Sequence, residues 1–184
     1  MSIPNFLTVF RIGLIPAFVV CFYLPGKFGH ILATLLFALA AITDWLDGYL
    51  ARNLNQTTKF GEFLDPVADK LMISTALLLV VGEVGSAFVA IPAAVIVGRE
   101  IAISALREWM AEIGRRTSVA VGLIGKIKTA TQMIALLLLL LYYPSAGHKL
   151  LVTGIILLYA AAGLTLWSMV MYLKVAWPEL TRNN

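Results

Sequence analysis

Apolar residues occupy most of the chain in six long runs, and polar residues concentrate in the short breaks between them. Each run is close to the ~20 residues that an α-helix needs to cross the hydrocarbon core of a bilayer. The runs are Ile3–Leu24, Gly29–Ala51, Glu62–Val81, Ser86–Leu106, Ser118–Tyr143 and Lys149–Leu173. The pattern predicts an all-α fold, a single domain over residues 1–184 that forms an integral membrane bundle of six transmembrane helices.

Composition supports a membrane protein. Only 13% of the 184 residues are charged, whereas a soluble domain carries about 25%. In a membrane protein, the net charge of +4 indicates orientation and contact with anionic lipid rather than with nucleic acid. Cys21 is the single cysteine, so an intrachain disulfide is excluded.

The Lys and Arg residues predict the orientation in the membrane. With six spans, twelve of the 14 fall on the side of the two termini, and only Lys27 and Lys149 fall on the other. Because cytoplasmic segments are enriched in Lys and Arg, both termini are expected in the cytoplasm. Ser2 to Asn5 are expected to form a short interfacial segment, with Pro4 in the first helical turn. Arg11 then either anchors at the headgroups or faces a polar cavity, and the sequence leaves both open.

The aspartates predict a metal site. The chain has four: Asp44, Asp47, Asp65 and Asp69. They are spaced i, i+3 and i, i+4, so each pair shares one face of a helix. A helix ending near Arg52 and a second starting near Gly61, with Pro66 in its first turn, would bring the four carboxylates together at the cytoplasmic end. Oxygen ligands without His or Cys partners select Mg²⁺, Mn²⁺ or Ca²⁺.

Basic residues lie at a similar depth in the later runs. They are Arg99, Arg107, Lys126 and Lys128. Ionisable groups at membrane depth normally face the bundle interior or a watery cavity, so we expect a cavity with an acidic and a basic wall. A divalent metal beside Arg and Lys suits a phosphate or diphosphate substrate. Glu100 is expected to pair with one of the neighbouring cations.

The spacing of these residues resembles a known signature. Asp44-x₂-Asp47-Gly48-x₂-Ala51-Arg52-x₈-Gly61-x₃-Asp65-x₃-Asp69 matches, without departure, the signature of the CDP-alcohol phosphatidyltransferases. Three further segments resemble the bacterial branch of that family that uses glycerol 3-phosphate. They are Pro4-Asn5-x₂-Thr8-x₂-Arg11, Arg99-Glu100 with Ser104-x-Leu106-Arg107, and Gly125-Lys126-x-Lys128-Thr129-x₂-Gln132. The resemblance therefore covers nearly the whole chain.

The resemblance implies a reaction and its participants. The phosphatidyl group of CDP-diacylglycerol would pass to glycerol 3-phosphate, giving phosphatidylglycerophosphate and CMP. The family also implies a homodimer in the bacterial inner membrane, a cytoplasm-facing site and two divalent ions, Mg²⁺ or Mn²⁺. By the same resemblance, Asp44, Asp47 and Asp65 are metal ligands, and Asp69 is both a ligand and the general base. The residues expected to bind CDP-diacylglycerol are Gly48, Ala51, Arg52, Gly61, Asn5 and Thr8.

The acceptor's phosphate requires cations of its own. Arg99 and Lys126 are the preferred candidates, because they lie deeper in otherwise apolar runs. Arg107 and Lys128 are also candidates, although a snorkelling anchor and a helix-end cation that attracts anionic lipid are equally open for them.

Two other interpretations stay open at this point. The first is the same reaction class with another acceptor, such as serine, inositol phosphate or phosphatidylglycerol. The second is a divalent-cation transporter, which also places carboxylates inside a helical bundle. A transport path should carry polar residues through the full membrane depth, whereas the outer halves of the second to fifth runs are almost entirely apolar.

Overall fold

The computed structural model describes residues 3–53, 59–112, 123–143 and 147–180. Over these ranges the chain forms six helices and no strand. The helices are α1 (Ile3–Phe22), α2 (Lys27–Asn53), α3 (Lys59–Val84), α4 (Ala87–Glu112), α5 (Leu123–Leu141) and α6 (His148–Leu180). The predicted all-α architecture and the number of helices are confirmed.

Four of the helices in the described ranges are long and apolar enough to cross a membrane by length and composition: α1, α2, α4 and α6. The chain is therefore a multi-pass membrane protein. Helix α3 carries Asp65, Asp69 and Lys70, and α5 carries Lys126 and Lys128, so these two helices combine a membrane-sized length with charge.

Most helix ends differ from the predicted runs by a few residues, and the starts of α1 and α3 also differ in their expected geometry. Pro4 lies in the first turn of α1, as expected, but α1 is helical from Ile3 to Phe22 without a break. Of the expected interfacial segment, Ser2 lies outside the described residues. Pro66 lies inside α3 rather than in its first turn, because α3 already begins at Lys59. Pro66 lacks an N–H and cannot make the usual intrahelical bond, yet the helix continues through it.

Each of the six helices packs against at least two others. Helix α1 packs against α2 and α3, α4 packs against α3 and α6, and α5 packs against α2 and α6. The core contains large side chains from every helix, among them Phe18, Phe37, Leu77, Ile96, Leu136 and Leu158. Many large apolar side chains remain exposed on the outside of the bundle, where lipid surrounds a membrane protein.

Candidate active site

One face of α1 holds the carboxylates of the two neighbouring helices. Thr8 Oγ1 donates a hydrogen bond to Asp65 Oδ1 at 2.6 Å, and Arg11 Nη1 donates one to Asp44 Oδ1 at 2.5 Å. Thr8 and Arg11 are three residues apart, so they project from the same side of the helix. Helix α1 is thereby connected to the end of α2 and to the start of α3.

Arg11 is not an interfacial anchor. Its side chain is 1% exposed and forms an ion pair with Asp44, so that alternative is wrong and the polar-cavity alternative is correct. The physical reason is the partner: a buried guanidinium requires a carboxylate close by, and Asp44 lies within hydrogen-bond distance.

The aspartates of α2 and α3 meet at one cavity. Asp44 and Asp69 both line it, together with Arg11. Asp65 is four residues before Asp69 on α3 and lies next to α1 through its bond with Thr8. The two ends of the predicted aspartate hairpin therefore lie on the same side of the molecule.

The described donor set suits a hard divalent cation. Asp44 keeps 44% of its side chain exposed, and Asp69 lines the cavity, so carboxylate oxygens remain accessible. Asp47 follows Asp44 by about one turn of α2, but its side chain lies outside the described part of the chain. Among the described side chains, no group of three His, Cys, Asp or Glu residues forms a complete metal site.

A second cavity, of about 230 Å³, is also lined by Asp69. Arg99 and Arg107 of α4 and Lys128 of α5 line this cavity with Asp69 and Glu100. Glu100 Oε1 accepts hydrogen bonds from Arg99 Nη1 and from Lys128 Nζ, both at 2.8 Å. The pairing partners of Glu100, which the sequence left undefined, are therefore these two cations.

Helix α6 supplies partners for the two arginines. Ser168 Oγ accepts a hydrogen bond from Arg99 Nη2 at 2.7 Å, and the Tyr172 hydroxyl accepts one from Arg107 Nη2 at 2.5 Å. Both α6 residues line the 230 Å³ cavity. Neither residue belongs to the predicted site, although Thr165, Ser168 and Tyr172 follow helical spacing in an apolar run. That spacing was the available signal.

The two lysines of α5 occupy different positions. Lys128 is buried and lines the cavity, whereas Lys126 is exposed and is absent from the lining of the cavities described here. Burial within the bundle therefore favours Lys128 as a cavity residue, whereas the sequence favoured Lys126. The reason is geometric, because residues two apart on a helix point about 200° away from each other.

The residues expected to bind the nucleotide-linked lipid are only partly described. Asn5, Thr8 and Gly61 are buried, and Asn5 and Thr8 lie on α1 at the same end as the aspartates. The side chains of Ala51 and Arg52, like the surroundings of Gly48, lie outside the described part of the chain.

The amino-acid sequence was compared with family models and curated proteins. The model of the CDP-alcohol phosphatidyltransferase family matches residues 1–172. The chain belongs to this family. The phosphatidyltransferase signature from Asp44 to Asp69 and the basic residues that line the second cavity all fall inside the matched range, and enzymes of this family generally depend on a divalent metal.

Curated bacterial relatives of this phosphatidyltransferase match over nearly their full length. A protein of Pseudomonas fluorescens is 55% identical over 98% of this chain and 92% of its own. One of Haemophilus influenzae is 53% identical over 99% and 97%, and one of Sodalis glossinidius is 53% identical over 98% and 97%. Each is named CDP-diacylglycerol–glycerol-3-phosphate 3-phosphatidyltransferase.

Proposed function

We propose that this phosphatidyltransferase transfers the phosphatidyl group of CDP-diacylglycerol to glycerol 3-phosphate, forming phosphatidylglycerophosphate and CMP. The observation that carries the proposal is the position of Asp69. It lines the cavity that contains Asp44 and also the cavity that contains Arg99, Arg107 and Lys128. A general base between an acidic and a basic subsite suits a reaction that joins a metal-bound diphosphate to a phosphorylated alcohol.

The basic cavity binds the acceptor in this proposal. The phosphate of glycerol 3-phosphate carries up to two negative charges. The described lining of this cavity holds four cations, Lys70, Arg99, Arg107 and Lys128, and two carboxylates, Asp69 and Glu100. Charge-assisted bonds from Arg suit phosphate oxygens. Lys126 remains a predicted contact of the acceptor phosphate. Because Lys126 is exposed and Lys128 is buried, Lys128 is the better supported of the two. An acceptor without a phosphate, such as serine, would leave this positive charge uncompensated, so glycerol 3-phosphate is favoured.

Asp69 takes the proton in the transfer step. The acceptor hydroxyl oxygen attacks the phosphorus that bears the diacylglycerol, and its proton passes to the Asp69 carboxylate. The new bond joins that oxygen to phosphorus. The bond between phosphorus and the bridging oxygen breaks, and this oxygen leaves with CMP. Asp69 is close to both reactants because it lines both cavities.

The carboxylates Asp44, Asp47, Asp65 and Asp69 would hold one or two Mg²⁺ or Mn²⁺ ions. When bound, such ions neutralise diphosphate charge and polarise the phosphorus under attack. Thr8 and Arg11 orient Asp65 and Asp44 through the bonds described above. Asn5, Gly48, Ala51, Arg52 and Gly61 would form the wall for the CDP group, where small residues let a ligand approach the backbone.

The location of the site follows the charge asymmetry of the chain. Twelve of the 14 Lys and Arg residues fall on the side of the two termini, and cytoplasmic segments are enriched in these residues. We therefore expect the two cavities, both termini and CMP release on the cytoplasmic side of the bacterial inner membrane. Cytidine and glycerol 3-phosphate are water-soluble and would enter from the cytoplasm, while the acyl chains stay in the bilayer. A homodimer is the expected assembly.

The test is turnover by the purified protein in detergent or liposomes with Mg²⁺. CDP-diacylglycerol and labelled glycerol 3-phosphate should yield labelled phosphatidylglycerophosphate and an equal amount of CMP. Serine, inositol phosphate and phosphatidylglycerol are supplied in parallel as acceptors. Faster turnover with any of these would refute the assignment of glycerol 3-phosphate. If no acceptor leads to release of CMP, the assignment as a transferase is refuted and the interpretation as a cation transporter is favoured.

A further inference from the structure

Helix α6 carries three polar residues on one face within an otherwise apolar stretch. They are Thr165, Ser168 and Tyr172, here called the α6 polar row, and their exposures are 0%, 3% and 8%. A buried hydroxyl in a membrane helix is unfavourable unless it finds a partner. The common role of such residues is to hold helices together through hydrogen bonds.

The contacts of the row indicate a more specific role. The Ser168 hydroxyl donates its proton to the backbone oxygen of Thr165 at 2.9 Å. Its single donor is therefore used, and only its lone pairs are left to face Arg99 Nη2. The hydroxyl is held as a hydrogen-bond acceptor directed at the guanidinium.

Arg107 is held by Tyr172 at two points. Its Nη2 donates to the Tyr172 hydroxyl, and its Cζ lies 4.9 Å from the centroid of the same ring. A hydrogen bond and a cation–π contact together restrict both the position and the tilt of a flexible side chain. Arg107 is otherwise an exposed residue, so these contacts keep its charge at the cavity.

We propose that Ser168 and Tyr172 are positioning residues that hold Arg99 and Arg107 ready for the phosphate of the acceptor. The inference rests on the proposed function, because it assumes that the basic cavity binds that phosphate. An arginine that is already ordered loses less rotamer entropy on binding than a free one. Helix α6 would then contribute to acceptor affinity although neither residue needs to touch the acceptor.

The experiment compares Ser168→Ala and Tyr172→Phe with the wild type. Each removes one hydrogen-bond acceptor, and Tyr172→Phe keeps the ring. The KM for glycerol 3-phosphate should rise by about 3- to 10-fold in each variant, and by more in the double variant. The KM for CDP-diacylglycerol and kcat should change by less than about 2-fold. Inorganic phosphate serves as a competitive inhibitor against glycerol 3-phosphate, and its inhibition constant should rise by the same factor.

The matched control is Tyr159→Phe, the same substitution on the same helix at a position that is 42% exposed and outside the cavity lining. It should match the wild type. Ser168→Thr, which keeps the hydroxyl, should recover most of the lost acceptor affinity. A purely structural role predicts a lower melting temperature and a lower active fraction, with the acceptor KM unchanged.

Unchanged acceptor KM values in folded Tyr172→Phe and in the double variant would overturn the inference. If Ser168→Ala does not fold, the Tyr172→Phe measurement decides alone. The wild-type reaction separates this failure from failure of the proposed function. A wild type that makes phosphatidylglycerophosphate supports the function whatever the variants do, and a wild type that makes none refutes the function and the inference that rests on it.

Discussion

The two sides of the site carry opposite excess charge. On the acidic side, Asp44 and Asp69 line one cavity with Arg11, which pairs with Asp44, and Asp65 is bonded to Thr8. On the basic side, Glu100 pairs with Arg99 and Lys128, and Arg107 also lines the cavity. Because unbalanced charge near the membrane interior is unfavourable, we expect a divalent cation to bind on the acidic side and a phosphate to bind on the basic side.

The first and last helices hold the two sides in the same way. Helix α1 contacts the acidic side through Thr8 and Arg11, and α6 contacts the basic side through Ser168 and Tyr172. In each case an outer helix fixes charged groups that belong to its neighbours. Among the described residues, Asp69 is the one that lines both cavities, so its substitution should affect both halves of the reaction.

The largest effect is expected for Asp69→Asn. Loss of the general base should reduce kcat by about 10²- to 10⁴-fold, measured as CMP release at saturating substrates. The control is Glu108→Gln, an equivalent loss of charge at an exposed position of α4, which should keep wild-type activity. If Asp69→Asn folds and keeps more than a tenth of the activity, the shared position of Asp69 does not make it the base.

A crossed comparison separates the two sides. Asp44→Asn should raise the Mg²⁺ concentration for half-maximal activity by about tenfold, because it weakens a proposed ligand. Arg99→Gln should instead raise the KM for glycerol 3-phosphate by about tenfold or more, because it removes a charge-assisted donor. A chelator should stop turnover in the wild type, and added Mg²⁺ or Mn²⁺ should restore it. If Asp44→Asn and Arg99→Gln change the Mg²⁺ requirement and the KM for glycerol 3-phosphate equally, the site does not consist of two distinct subsites.

The acidic side was more predictable from the sequence than the basic side. All of its carboxylates lie within 26 positions, from Asp44 to Asp69, and local helical spacing is enough to put each pair on one face. The start of α3 was less predictable, since Pro66 suggested a helix that begins later than Lys59. The role of Arg11 was open because its partner, Asp44, is 33 residues away.

The basic side depends on contacts that are distant in the sequence. Arg99 meets Ser168 across 69 residues, and Arg107 meets Tyr172 across 65. Apolar runs fix the depth of a residue in the membrane, but not which neighbour its side chain faces. For the same reason, the sequence favoured Lys126 over Lys128 by its place in an apolar run, although the two side chains point in nearly opposite directions.

This lysine pair provides a smaller test. Lys128→Ala should raise the KM for glycerol 3-phosphate by about tenfold, because it removes a cation that lines the cavity. Lys126→Ala should raise it by no more than about twofold, because an exposed charge is screened by solvent. Both variants are compared at the same ionic strength, with the KM for CDP-diacylglycerol as the internal reference. A larger effect of Lys126→Ala would reverse the assignment made from burial.

The smallest effect on activity is expected from a change in packing far from both sides. A Cβ added at Gly154 of α6 would lie 2.7 Å from Leu139 Cγ and Cδ2 of α5, whereas one added at Gly163 meets nothing within 4 Å. Overpacking of this kind costs about 1–3 kcal/mol, so Gly154→Ala should melt several degrees below the matched control, Gly163→Ala.

Gly154 precedes Ser168 by 14 residues, or ~21 Å of helix. Its acceptor KM and Mg²⁺ requirement should therefore equal those of the wild type. If Gly154→Ala changes the acceptor KM as much as Lys128→Ala does, or the Mg²⁺ requirement as much as Asp44→Asn does, then the changes in those two variants report general loosening of the bundle. The contrast between an acidic and a basic subsite would then lose its kinetic support.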